Sequence, residues 1–127
     1  MHKLFKNLLM AAALAAGAAP VLAQKATEIF IPIGQSPGLS GKHTVIGRIQ
    51  SVNAADRSMT VVDAAGAAVT VRPGPQTLVW LDRSKLNQPN RKGGHSDYRR
   101  DMLVEVKYRN NDRLAGVVDW IKVQAAD

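Results

Sequence analysis

The chain has 127 residues, a formal charge of +7 and no cysteine. Disulfide frameworks, thiolate nucleophiles and cysteine–zinc sites are therefore excluded, and the length fits one domain whose fold rests on packing alone. The excess of Lys and Arg suits an anionic partner, and it equally serves solubility.

Residues 1–23 carry Lys3 and Lys6 ahead of an uncharged apolar run over 8–19, then small residues with Val21 and Ala23 at the peptidase-read positions. This is the pattern of a secretory signal peptide, with a predicted cut after Ala23 and a periplasmic or secreted mature chain. The apolar run is shorter than the roughly 20 residues a membrane-spanning helix needs, and the absence of cysteine excludes a lipid-anchored lipoprotein. Removing 23 of the 127 residues leaves 104, and with two lysines gone the charge is +5.

Residues 24–43 read as an extended N-terminal arm. Ile29, Ile31 and Ile33 alternate with Phe30 and Pro32, which predicts a short edge strand, since proline is tolerated at sheet edges. Gly34, Pro37, Gly38, Ser40 and Gly41 then interrupt regular structure. Gly41-Lys42 is not a phosphate loop: Ser36 stands where the first glycine belongs, and His43 stands where Ser or Thr would hold magnesium.

Residues 44–124 read as the folded domain. Over 44–71 apolar and polar residues alternate, with breaks at 54–57 and 64–66, predicting three antiparallel strands joined by hairpins. Val45, Gly47 and Ile49 share one face, and Met59, Val61, Ala67, Val69 and Val71 continue it. After Pro73-Gly74-Pro75, residues 77–81 predict a buried fourth strand, with Val79 and Leu81 on one face and Leu78 and Trp80 on the other.

Residues 82–101 are irregular, since Pro89, Gly93 and Gly94 rule out a continuous helix. A short helical turn is expected from Ser96, its hydroxyl capping the amides of Tyr98 or Arg99. The stretch holds Arg83, Lys85, Arg91, Lys92, Arg99 and Arg100 against three aspartates, more than half of the mature surplus, which marks a basic binding loop or a solvated one. Residues 102–109 alternate again, with Met102, Val104, Val106 and Tyr108 inward and Leu103, Glu105 and Lys107 outward. A turn at 110–113 leads to a last strand over 114–123, whose parity requires a bulge between Gly116 and Asp119.

These elements predict an all-β fold: a small OB-type barrel of five to six antiparallel strands, with a short helical turn before the last two. Gly47, Ile49 and Val52, then Thr60-Val61-Val62, the Gly66 hairpin, Val104-Glu105-Val106 and Ile121-Lys122-Val123 together resemble the DUF5666 group of small exported bacterial domains of unknown function. That group often carries a glycine just before the V-E-V strand, where this chain has Asp101 and Met102. The architecture and leader also resemble the bacterial OB-fold periplasmic proteins linked to stress tolerance. Neither resemblance implies a catalytic residue or a cofactor.

No catalytic or metal constellation emerges. His95-Ser96-Asp97 has the residue types of a hydrolase triad, but adjacent residues do not converge as a triad must. His43 and His95 are too far apart in sequence for zinc-type spacing. Trp80, Trp120, Tyr98 and Tyr108 serve either as core or as stacking groups framed by Arg48, Arg72 and Lys122. Trp120 has the stronger claim to the surface, because it shares a face with Lys122.

The functional expectation is a non-enzymatic exported module without cofactor or metal. It engages an acidic glycan, lipid or nucleic acid through Arg83, Lys85, Arg91, Lys92, Tyr98, Arg99, Arg100, Trp120 and Lys122. The alternative is a structural or protein-interaction module of the periplasm that pairs through an edge strand at 29–33.

Overall fold

The computed structural model describes residues 27–125. The predicted leader and its cut after Ala23 lie outside the described residues. Among the described residues seven strands form one sheet: β1 (Thr44–Asn53), β2 (Ser58–Asp63), β3 (Ala68–Val71), β4 (Leu78–Asp82), β5 (Arg91–Lys92), β6 (Leu103–Tyr108) and β7 (Val118–Gln124). Their order across the sheet is β3-β2-β1-β6-β7-β4-β5.

The fold is all-β, as the alternation predicts, but the expected antiparallel barrel of five to six strands is not what forms. The sheet has seven strands, is open at β3 and β5, and is mixed, because β4 pairs with β7 in parallel. The pair is parallel because β6 starts at the end where β4 stops and runs back, and β7 then returns antiparallel to β6 in the place between β6 and β4. Among the described residues no helix is long and apolar enough to cross a membrane.

One face carries the core. Val45 and Ile49 of β1, Val61 of β2, Val71 of β3, Leu81 of β4, Val104 and Val106 of β6 and Ile121 and Val123 of β7 form one buried cluster. The connections between strands supply only one-turn helices, at Ser84–Leu86, His95–Asp97 and Arg109–Asn111, so among the described residues no second layer of regular structure covers this face. The sheet covers it by coiling on itself, as right-handed strand twist favours. The coil brings Val69 and Thr70 of β3 to the same cavity as Tyr108 of β6 and Leu114 of the β6–β7 connection. Gly47 lets β1 lie close against β2, since a Cβ there would lie 2.3 Å from the Val62 carbonyl oxygen.

Two bulges set the side-chain parity. Ile49 lies opposite Val61 and Ser51 opposite Thr60, leaving Gln50 as an extra residue in β1. Lys107 lies opposite Trp120 and Tyr108 opposite Val118, so Asp119 is the extra residue in β7, inside the span where the sequence requires one. The final strand starts at Val118 rather than at 114, and Leu114 is fully exposed.

The arm departs most from expectation. Residues 27–28 are helical and 29–43 run through turns and bends, so the edge strand expected over Ile29, Ile31 and Ile33 does not form. The arm crosses the face opposite the core and acts as its cover. There Glu105 is 0 % exposed and Lys122 is 1 % exposed, although strand parity alone turns both toward solvent.

Polar contacts hold this seam. Lys122 Nζ donates to Glu28 Oε2 at 2.7 Å and to Ser36 Oγ at 3.0 Å, and the Ser36 hydroxyl donates to Glu28 at 2.6 Å. Glu105 accepts from the Gly34 amide and from the hydroxyls of Ser40 and Thr44. Asp82 accepts from the amides of Ile33 and Ser84. Each buried charge thus has the partners that offset its desolvation.

The helical turn before the last two strands is present at His95–Asp97, but Ser96 does not cap it. The Asp97 carboxylate accepts from the Gly94 amide at 2.8 Å instead. Asp101, at the position where the resembling group often has glycine, has φ 72°, a left-handed conformation in which glycine meets no Cβ penalty.

Candidate functional site

The cations of the irregular segment gather at one end of the sheet, and the strand register explains how. Asp82 at the end of β4 lies opposite Gln124 at the end of β7, while Leu103 at the start of β6 lies opposite Arg48 of β1. Connections leaving and entering these strands therefore emerge together. Arg99, Arg100 and Arg48 line one cavity of about 330 Å³ with Asp101, Leu103 and Gln124. Arg48 is positioned by donating from Nη1 to the Asp101 carbonyl at 3.0 Å. Arg99 folds back on its own connection, donating to the carbonyls of Ser96 and Tyr98. The sequence places Arg48 among the cations framing the aromatic residues and not with the loop, because it comes from β1 and only the β1–β6 pairing brings it to Arg99 and Arg100.

The remaining loop cations stand apart from this trio. Arg91 and Lys92 make up the edge strand β5, opposite Leu81 and Trp80, and both are exposed. Four strand spacings separate the Arg91 row from β1, roughly 19 Å along the sheet. Lys85 is exposed in the one-turn helix after β4, and half-buried Arg83 gives its amide proton to Asn90 Oδ1 at 2.6 Å. The basic segment is thus two surfaces, one around Arg48, Arg99 and Arg100 and one along β5.

Three predicted contact residues are not on the surface. Trp120 is 3 % exposed, which corrects the expectation that sharing a face with Lys122 would leave it in water. Its ring lies 5.9 Å from that of Trp80, and the Lys122 ammonium lies 4.6 Å from its centroid, all in the sheet region crossed by the arm. Tyr98 is 4 % exposed and belongs to the core. Burial, with the neighbouring Asp97 charge, pushes its hydroxyl well above the ordinary tyrosine range, and that hydroxyl has no hydrogen-bond partner.

His95, Ser96 and Asp97 form one short turn rather than a triad. The histidine packs edge-on against Tyr98, its Nδ1 has no hydrogen-bond partner, and Asp97 holds the Gly94 amide. Among the described residues no group of three His, Cys, Asp or Glu is placed to hold a metal ion.

A second set of cations lies at the other end. Arg72 after β3, Arg109 at the end of β6 and Arg113 in the β6–β7 connection are distant in sequence, and coiling of the sheet brings them together. Arg72 and Arg113 line a cavity of about 720 Å³, while Arg72 and Arg109 line an adjoining one of about 320 Å³. Burial raises the Tyr108 hydroxyl above its usual range at this end, and the Arg113 charge partly offsets that shift.

No family model, curated protein or solved structure matches the chain.

Proposed function

We propose that the protein is an exported, non-enzymatic module that engages an anionic partner, whether an acidic glycan, a lipid head group or nucleic acid, through the Arg48–Arg99–Arg100 end of its sheet. The observation that carries this reading is the convergence of three arginines from two separate segments on one cavity. Guanidinium groups pair bidentately with carboxylate, sulfate and phosphate, so such a set favours an anion over a neutral ligand. Export rests on the leader pattern of residues 1–23. The finer architectural reading, a relation to OB-type domains and the DUF5666 group, is supported by the β1–β2–β3 meander and the helical turn before β6. The second loop surface, Arg91 and Lys92 with Lys85 and Arg83, extends the same end toward β5.

Binding of the mature chain to immobilised heparin, eluted with salt, tests the reading. Arg99→Ser/Arg100→Ser is compared with Lys42→Ser/Arg57→Ser, which removes the same charge elsewhere. The first variant is expected to elute at clearly lower salt than the second, because displaced counterions belong to a contact surface rather than to net charge. Co-elution of the two variants, or failure of the wild type to bind, overturns the proposal.

A further inference from the structure

β3 is a free edge beside a cationic groove. Among the described residues it pairs only with β2, and the hairpin between them fixes which backbone groups face inward. Asp63 donates its amide proton to the Ala67 carbonyl across that hairpin. Antiparallel pairs alternate, so Val69 and Val71 turn their amides and carbonyls toward β2, while Ala68 and Thr70 turn theirs to the open edge. Such an edge is a template for a further strand.

The groove lies on this side of the sheet. Val69, Thr70 and Arg72 line its larger part along β3, with Tyr108, Arg113 and Leu114 across from them. It continues through Arg72 and Gly116 into the part lined by Pro75, Arg109 and Val117. No carboxylate lines either part. Arg109 is paired with Asp119 at 3.2 Å, whereas Arg113 forms no ion pair among the described residues and the Arg72–Asp56 pair is a loose 3.6 Å contact between exposed groups, so Arg72 and Arg113 carry the groove's available charge. Leu114 is fully exposed and Val117 is 43 % exposed, giving the rim an apolar contribution.

We infer that this groove binds an extended peptide segment carrying carboxylate and apolar side chains, which adds to β3 as the next strand of the sheet. Backbone donors and acceptors repeating at Ala68 and Thr70 match another peptide backbone, which a sugar–phosphate chain does not. Tyr108, the one aromatic residue lining the groove, is buried, so the lining provides no exposed platform for stacking bases. The arginines supply charge complementarity, and alternation along the added strand places every second side chain over the groove. The site is separate from the Arg48–Arg99–Arg100 end and relocates the edge-strand role from 29–33 to β3.

The test is an amide chemical-shift titration of the mature chain with a short peptide of alternating glutamate and valine. Shifts and slowed amide exchange are expected at Ala68 and Thr70. Thr70→Pro removes the outward-facing donor at an edge position where proline is tolerated, leaving the β2–β3 ladder in place. It is expected to weaken binding about tenfold or more while β1–β2 amide protection stays at the wild-type level. Arg113→Ser is expected to weaken binding and flatten its salt dependence, and both variants should elute from heparin as their net charge alone dictates.

Undiminished binding by Thr70→Pro, perturbations confined to other surfaces, or no binding at all overturns the inference. A single-stranded oligonucleotide that perturbs the groove where the peptide does not, or shifts that track protein concentration without peptide, overturns it in favour of nucleic acid or a second copy.

Discussion

Replacing Glu28 by alanine tests whether the arm is held by buried charge. The Lys122 side chain is 1 % exposed and that of Glu28 is 9 % exposed, so the 2.7 Å contact between them is largely shielded from water. In Glu28→Ala the ammonium keeps the Ser36 hydroxyl and the Trp120 ring but loses its counter-charge. An uncompensated buried charge of this kind costs about 3–5 kcal/mol.

Partial relief is available because Glu105 lies directly opposite Lys122 across β6 and β7. Its Oε2 already accepts from Ser40 and Thr44, so recruiting it would loosen the arm's other anchor. The expected loss is therefore near the lower limit, about 3 kcal/mol, against a total of roughly 5–15 kcal/mol for such a domain. In urea denaturation this appears as a lower midpoint at unchanged slope, and in thermal melts as a fall of very roughly 12–20 °C. Glu28→Leu/Lys122→Met removes both charges together and is expected to stay within about 1 kcal/mol of wild type, whereas Glu28→Leu alone is expected to lose about 3 kcal/mol as Glu28→Ala does. The cycle of Glu28→Leu, Lys122→Met and their combination therefore gives a coupling of about 2 kcal/mol or more. A loss below about 1 kcal/mol for Glu28→Ala would show that Lys122 is hydrated, and the account of the arm would fail.

Two further outcomes follow from local geometry and titration. Asp101 is exposed with φ 72°, so Asp101→Val is expected to lose about 2 kcal/mol in denaturant melts while Asp101→Gly stays within about 1 kcal/mol of wild type. Equal behaviour of the two variants would refute the strain argument. Tyr98 and Tyr108 both have raised pKa values in the folded chain, so the unfolded chain releases their protons first as pH rises. Stability is then unaffected below about pH 10 and falls above it by about 1.4 kcal/mol per pH unit for each tyrosine still protonated in the fold. Tyr98→Phe should remove its share of that slope at little cost near neutrality, because its hydroxyl has no partner to lose; an unchanged alkaline slope would contradict its burial.

Strand periodicity made the meander legible. Val45, Ile49, Met59, Val61 and Val71 are buried as alternation requires, and even the β7 bulge was readable from a break in parity at 116–119. Pairing order was not legible, because no local signal tells β4 to run parallel beside β7. The same limit hid both arginine groups. Arg48 joins Arg99 and Arg100 only through the β1–β6 register, and Arg72 meets Arg109 and Arg113 only once the sheet coils. Ile29, Ile31 and Ile33 show the converse failure: their alternation mimics a strand, while the segment turns and uses backbone amides at Ile33 and Gly34 to meet Asp82 and Glu105.

The buried charges explain why parity failed at Glu105, Trp120 and Lys122. Alternation states which face a side chain takes, and it was right for all three, but whether that face meets water depends on what is laid over it. Among the described residues the sheet has no helix layer, so the arm takes that place, and an apolar cover alone would hold it weakly in register. Asp82, Glu105 and Lys122 are fixed points spread across β4, β6 and β7, each satisfied by different arm residues. Sliding the arm by one residue would move its donors and the Glu28 carboxylate away from all three at once, leaving Lys122 without its counter-charge, Asp82 with only the Ser84 amide and Glu105 with only the Thr44 hydroxyl. The polar seam therefore selects one placement of the arm where hydrophobic contact would accept several, at the expense of the desolvation that its hydrogen bonds offset.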